Sequence, residues 1–354
     1  MMGSLLRNTI HHALSRLFRR PSRPRAPPGM NISYVLDSVL NQGGLRPLDT
    51  ESFQENDAVQ PLRVVSSCVW TNGTLDTKCF GTDDYDSVVS KTGRQGLFAC
   101  MEASMTVPGA TGPPVYIHNP HDPSASEDGC FFDAFCFEPL PYRSAVQEGA
   151  THVLVFQTRP AGYKAKTQPG VYEKGVAPVY FNSHQQPTVA NFFRNGGQQY
   201  RYLEDYLTME EGQQSPREPI AIPPTQLQYG LPNQPVSHTD VKKWRKAHLM
   251  PIAVPHGTPE LPTLEQDPQK VLEAVRQGFA AAYDLLAPAM DLDDDIKTVS
   301  GSRAAELVFP SPDDTNTPQQ LRNDATTLLQ HLPGMRHAGM TPLVHALHSA
   351  TQNV

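Results

Sequence analysis

Residues 130–160 read CFFDAFCFEPLPYRSAVQEGATHVLVFQTRP. The apolar run from Cys130 to Phe132 predicts a buried strand that delivers Asp133 to its end. Pro141 opens a helix of one or two turns over 142–148 and Gly149 closes it, since proline suits the first helical position and glycine the exit. HVLVFQT (152–158) is a continuous apolar run of the kind buried on both faces of a sheet. A strand, a crossover helix and a second strand in series predict an α/β fold, with a parallel sheet layered between helices. An acid at a strand end in such a sheet stands where reactive carboxylates sit.

Upstream, GRQGLFACMEASM (93–105) reads as a buried helix stopped at Val107-Pro108, and Val115–Ile117 as a short strand. PLRVVSSCVW (61–70) is rich in β-formers and reads as a core strand. MNISYVLDSVLN (30–41) places Ile32, Val35, Leu36 and Val39 on one helical face. Residues 71–95 and 118–129 read as polar loops. Downstream of Pro160 the pattern weakens: 161–200 mixes polar and aromatic residues, and 211–240 is rich in Pro and Gln. The clearest helix follows, with Asp267 as its cap, Pro268 in its first position and QKVLEAVRQGFAAAYDLL running to Leu286. Val271, Val275, Phe279, Ala282 and Leu286 form its apolar face. One further short helix is expected near Leu321–Leu332.

Composition bounds the function. Hydrophobic content is 38% and 34 of 354 residues are proline, against a usual proline share of ~5%. An ordinary core with long irregular segments is expected. Net charge is −7, unevenly spread. Residues 1–29 hold six Arg and no acid, which leaves 23 Lys and Arg against 36 acids in the rest, or −13. An acidic body argues against nucleic acid as a partner. The five cysteines (Cys68, Cys79, Cys100, Cys130, Cys136) form no CxxC pair and no zinc pattern, and their odd number reads as reduced thiols inside a cell. Asp291, Asp293, Asp294 and Asp295 lack the glycine and glutamate of a calcium loop, so solvated charge is the better reading. No metal is expected.

The segment SLLRNTIHHALSRLFRR (4–20) is amphipathic and basic. It fits a helix on anionic lipid, an organelle targeting peptide, or a domain helix separated from its packing partners. No run approaches the ~20 apolar residues of a membrane span. A cytoplasmic or peripheral-membrane location is expected.

Several side chains invite a chemical role. Cys136 has no nearby histidine to activate it and apolar neighbours that suppress its thiolate. Ser104 reads as a helix-end hydroxyl, His152 as a packed histidine, and Glu138 with Arg143 as a turn ion pair. Gly43-Gly44-Leu45-Arg46 follows a helix rather than a strand and reads as a turn. Arg159 ends the second strand, where it could meet a lipid phosphate.

CMEASMTVPGATGPPV (100–115), together with FFDAFCFEPLPYRSAVQEGATHVLVFQTRP (131–160), resembles the C-terminal half of a patatin-like phospholipase domain. MNISYVLDSVL, RPLD (46–49) and PLRVVSS (61–67) match the family's middle section. LMPIAVPHGTPELPTLEQD (249–267) and the helix after it look like the extension of one family branch. The resemblance covers roughly residues 30–310. It implies a three-layer α/β/α sheet, here incomplete, and a serine–aspartate dyad that hydrolyses lipid esters without cofactor or metal. The serine attacks the carbonyl, the aspartate takes its proton directly, and a glycine-rich loop stabilises the oxyanion. Asp133-Ala134 stands where most members have Asp-Gly, so the resemblance makes Asp133 the general base.

The departures are equally specific. No G-x-S-x-G occurs in the sequence, and Glu102 stands where an Arg is usual. The expected organisation is therefore a basic helix and Pro-rich linker at 1–29, the aspartate half of a catalytic domain at 30–160, a family extension at 161–310 and a mobile tail at 311–354. The expected function is the aspartate half of a lipid acyl hydrolase. The alternative is a catalytically inactive, lipid- or membrane-associated pseudoenzyme.

Overall fold

Alternation along one strand fixes the packing of the sheet. In β5 (Gly129–Asp133), Cys130 and Phe132 point to one face and Phe131 to the other, as the two-residue period of a strand requires. The computed structural model describes residues 32–118, 129–164, 168–227, 241–262, 265–289 and 299–309. The expected basic helix of 1–29, most of the 118–129 loop, residues 228–240 of the Pro/Gln-rich stretch, the acidic 291–295 and the helix near Leu321–Leu332 lie outside the described residues. The chain divides into two compact units, residues 1–153 with 165–250, and residues 154–164 with 251–354.

In the first unit, α1 (Tyr34–Leu40, π-helical) and α2 (Thr50–Val59) precede β1 (Val64–Trp70). Of the four residues expected on the apolar face of α1, only Leu36 is buried. β2 (Leu75–Phe80), α3 (Thr82–Ser87), β3 (Val89–Ser90), α4 (Gly96–Met105) and β4 (Val115–His118) follow. The strand order is β2-β1-β5-β4-β3. Every pairing in this sheet is antiparallel, with Ser66 opposite Asp133 and Val115 opposite Phe131. After β5 come a 3-10 turn (Ala134–Cys136) and α5 (Tyr142–Gln147). A π-helical turn (Tyr172–Val176) then leads into α6 (Ala177–Ser183), α7 (Pro187–Arg194) and α8 (Gly197–Gln214).

Helices cover both faces of the sheet. Phe131 packs with Cys68, Phe80, Ala99, Cys100 and Ala103, which brings α4 against one face. Phe132 packs with Phe137, Phe181, Val189 and Phe193, which brings α6 and α7 against the other. Ring centroids of Phe132 lie 5.3 Å from Phe137 and 4.8 Å from Phe181, edge-on as aromatic quadrupoles prefer.

The expected parallel sheet is corrected. β6 (His152–Phe156) does not join β5; it belongs to a separate three-stranded sheet of order β6-β8-β7, with β7 (Ile220–Ala221) and β8 (Lys246–Ile252). It is also not buried on both faces. Only Val155 is buried, while Leu154 and Phe156 are 48% and 62% exposed. An apolar run cannot distinguish a central strand from an edge strand; position in the sheet decides burial.

Residues 71–95 are likewise not a loop. Asn72-Gly73 turns a tight hairpin, with Gly73 at φ +82° and Asn72 Oδ1 accepting the Thr74 N–H at 2.9 Å. Trp70 and Thr74 close a three-residue loop, with the Trp70 N–H donating to Thr74 at 3.0 Å and the Gly73 N–H to Trp70 at 2.8 Å, and only its last position takes φ > 0, which glycine supplies. The expected break at 160/161 also differs from the structure. α6 and α7 lie beyond it in sequence and complete the core under Asp133's own strand.

In the second unit, α9 (Pro268–Leu286) is capped as its sequence requires, with Asp267 accepting the Gln269 N–H at 3.0 Å. Asp267→Ala will cost about 1 kcal/mol, read as a lowered urea midpoint for loss of α9 ellipticity. α10 (Gly301–Val308) packs on α9. The Gly301 N–H donates to Asp284 at 2.6 Å and the Phe309 carbonyl accepts from Arg276 Nε at 2.8 Å. A Cβ at position 301 would lie 2.2 Å from the Ala280 carbonyl, so this close approach requires glycine.

Candidate functional site

Asp133 ends the middle strand of the five-stranded sheet. Its N–H donates to the Thr106 carbonyl at 2.9 Å, which ties the strand end to the loop after α4. One carboxylate oxygen accepts the Phe135 N–H at 3.0 Å and so caps the 3-10 turn. The other oxygen takes no hydrogen bond among the described residues. Burial pushes the Asp133 carboxyl up to about 6, against the lowering effect of the Phe135 N–H. A carboxyl with this affinity can exchange protons near neutral pH.

The surroundings are aromatic and held in place. The Tyr172 hydroxyl donates to the Pro108 carbonyl at 3.0 Å and the Tyr180 hydroxyl to the Gly112 carbonyl at 2.9 Å. The two tyrosines thereby pin loop 106–112, which also carries Asp133's main-chain partner Thr106. The Tyr172 ring lies 6.0 Å from Phe135. Burial raises the Tyr172 hydroxyl well above its ordinary range, with the charges of Cys136 and Asp133 adding to the shift. Ala134 is accommodated without strain, because Gln185 is the only described non-glycine residue at positive φ.

The other expected residues are placed as follows. Cys136 is fully buried and burial drives its thiol far up, so it is a structural thiol. All five cysteines are free. Ser104 lies in the last turn of α4, half-buried. Ser66, the cross-strand partner of Asp133, is fully buried and donates to the Phe132 carbonyl at 2.8 Å. Gly43-Gly44 is a turn whose N–H groups are consumed. Gly44 donates to Asn41 at 2.8 Å, Leu45 to Ser38 and Arg46 to Val39, each at 2.9 Å. Glu102 is buried, but Arg94 pairs with it and Ser90 and Thr92 donate to it at 3.0 and 2.7 Å. Its charge is compensated by Arg94.

Three expectations need correction. His152 is exposed rather than packed in the core, and its ring stacks on His248 at 4.6 Å. Glu138 does not pair with Arg143. It accepts from Ser144 N–H, Ser144 Oγ and Thr77 Oγ1 at 2.8, 2.6 and 3.0 Å. Arg143 instead pairs with Asp205 and with Glu204. Arg159, in the second unit, is already engaged by Glu260 and lies 5.2 Å from the Tyr163 ring centroid, so its charge is not free for a phosphate.

Sequence reading missed the buried ionic network of α5 and α8. Arg201 donates to the Phe137 and Thr225 carbonyls at 3.0 and 2.7 Å and to Glu204 at 2.9 Å. Helices α6 and α7 were missed as well, and their signals were Pro178 and Pro187 in first-turn positions and the aromatic pairs Tyr180-Phe181 and Phe192-Phe193. Among the described residues no three His, Cys, Asp or Glu side chains converge on a metal position. No described helix is long and apolar enough to cross a membrane. No protein-family model, curated protein or solved structure matches the chain.

Proposed function

We propose that this chain carries the aspartate half of a patatin-like lipid acyl hydrolase, with Asp133 as the acid/base that serves a serine nucleophile. One observation carries the reading: a half-buried carboxyl at the end of the middle strand, raised to about 6 by burial, with one oxygen unbonded among the described residues. The serine oxygen would approach that second oxygen and pass its proton directly to it, with no histidine between them. The sequence has no G-x-S-x-G, so the nucleophile comes from polypeptide outside residues 1–354. The substrate is a lipid ester presented at a membrane or droplet surface, and neither cofactor nor metal takes part. Arg159 has no part in this reading while Glu260 holds it.

The placement is tested by carbon-13 titration of the Asp133 carboxyl in the full chain. A midpoint near 6 is expected, with Asp133→Asn identifying the resonance. A midpoint at the ordinary aspartate value of ~3.9 would remove the basis for a proton-transfer role. A second reading, a non-catalytic lipid-associated protein, is favoured by the Phe135 cap alone, which gives Asp133 a structural duty without any substrate. Turnover measurements, argued below, separate the two.

A further inference from the structure

The amphipathic helix of the second unit is left with its apolar face open. Of the nineteen residues of α9, only Tyr283 is buried. Val271 and Val275 are 38% and 44% exposed, and Phe279, Ala282 and Leu286 on the same face are half-buried. A helix with such a face needs a partner along its whole length. α10 supplies one for only part of it. Its start is fixed at Asp284 and its end at Arg276, with Phe279 and Phe309 rings 5.5 Å apart. α10 thus runs antiparallel to α9, from Asp284 back to Arg276 and Phe279, and leaves Val271 and Val275 exposed.

We propose that the chain's own residues 321–332 dock on the exposed Val271–Val275 face of α9. The residues next to Phe309 cannot fill this role, because 310–320 (PSPDDTNTPQQ) contain no aliphatic or aromatic side chain and three prolines. The next apolar set is Leu321, Ala325, Leu328, Leu329 and Leu332, spaced as one helical face. Reach decides that it can arrive. Eleven residues extend up to roughly 36 Å, and a nineteen-residue helix is about 28 Å long. Tethering also favours this occupant over a second copy, since a short linker gives an effective concentration on the order of millimolar.

Hydrogen–deuterium exchange on the full chain tests the docking from both sides. In the unaltered chain, peptides covering 321–332 should exchange at least about tenfold more slowly than 311–318. Val271→Glu/Val275→Glu alters two exposed positions of α9, and should remove that protection. Leu328→Glu/Leu329→Glu should raise exchange in α9 around 271–275. Unprotected 321–332 in the unaltered chain would overturn the proposal. So would protection that survives both double variants, or protection that grows with protein concentration, which would mark a second copy as the occupant.

Discussion

Asp133→Asn, in a polypeptide that joins these residues to a serine-bearing upstream segment, will lower ester turnover by about 10²–10⁴-fold. The loss should fall on kcat, because the proton moves in the reaction and not on binding. Folding should be unharmed. Burial holds the Asp133 carboxyl near 6, above its unfolded value of ~3.9. A raised folded value means that its contribution to stability is complete below ~3.9 and is lost as pH rises through about 6. Removing the charge at pH 7 therefore relieves a penalty, and Asn can still accept the Phe135 N–H. On the proposed reading, kcat/KM of the joined polypeptide should rise with pH through about 6 as the carboxylate forms. Turnover unchanged in Asp133→Asn, measured on a p-nitrophenyl acyl ester, would exclude the dyad and leave the pseudoenzyme reading.

Arg143→Ala is expected to be the most damaging single change to stability, at about 3–5 kcal/mol. Arg143 and Asp205 are both fully buried and paired, and Tyr142 adds a hydrogen bond to Asp205 at 3.2 Å. Among the described residues Arg143 Nε and Asp205 Oδ2 have no hydrogen-bond partner, so the ion pair is buried with part of its hydrogen-bonding capacity unmet. Truncating Arg143 strands a buried carboxylate. Burial raises the Asp205 carboxyl, while Arg143 and Arg201 pull it back. Without Arg143 it rises further. More stability is then lost as pH climbs from ~3.9 through the new folded value. The deficit of the variant, read from denaturant melts, should widen between pH 4 and 8. Arg143→Met/Asp205→Leu should recover most of it, since a buried pair replaced by apolar groups is often neutral. A deficit independent of pH would show that lost packing, not charge, is responsible.

The candidate site was more legible than the fold around it. Phe131 and Phe132 before Asp133 announce a buried strand ending in an acid, and β5 runs from Gly129 to Asp133. α4, α5 and α9 were readable because prolines and caps punctuate them. Partner choice was not readable. Nothing in HVLVF says that it pairs with β8 rather than β5, because register and neighbour are decided by contacts distant in sequence. β2 was hidden by short, mixed residues, LDTKCF, although Asn72-Gly73 marked the turn before it. The ion pairs of Arg143 and Arg201 were invisible for a different reason. Charged residues are presumed to face water, and only the packing of α8 against the 134–138 turn makes them interior.

The sheet order has a consequence for how the molecule is made. β5 is threaded between β1 and β4, and Ser66 meets Asp133 across a long stretch of chain. Closing such a loop is slow compared with forming the β1–β2 hairpin, which needs only its neighbours. One flank of the acid's future berth is therefore standing before the acid is synthesised. The aromatic floor from α6 and α7 arrives afterward, with Phe181 and Phe193. A nascent chain halted before residue 193 would lack Phe193, and with it part of the aromatic cluster that packs on Phe132, the residue next to this carboxylate.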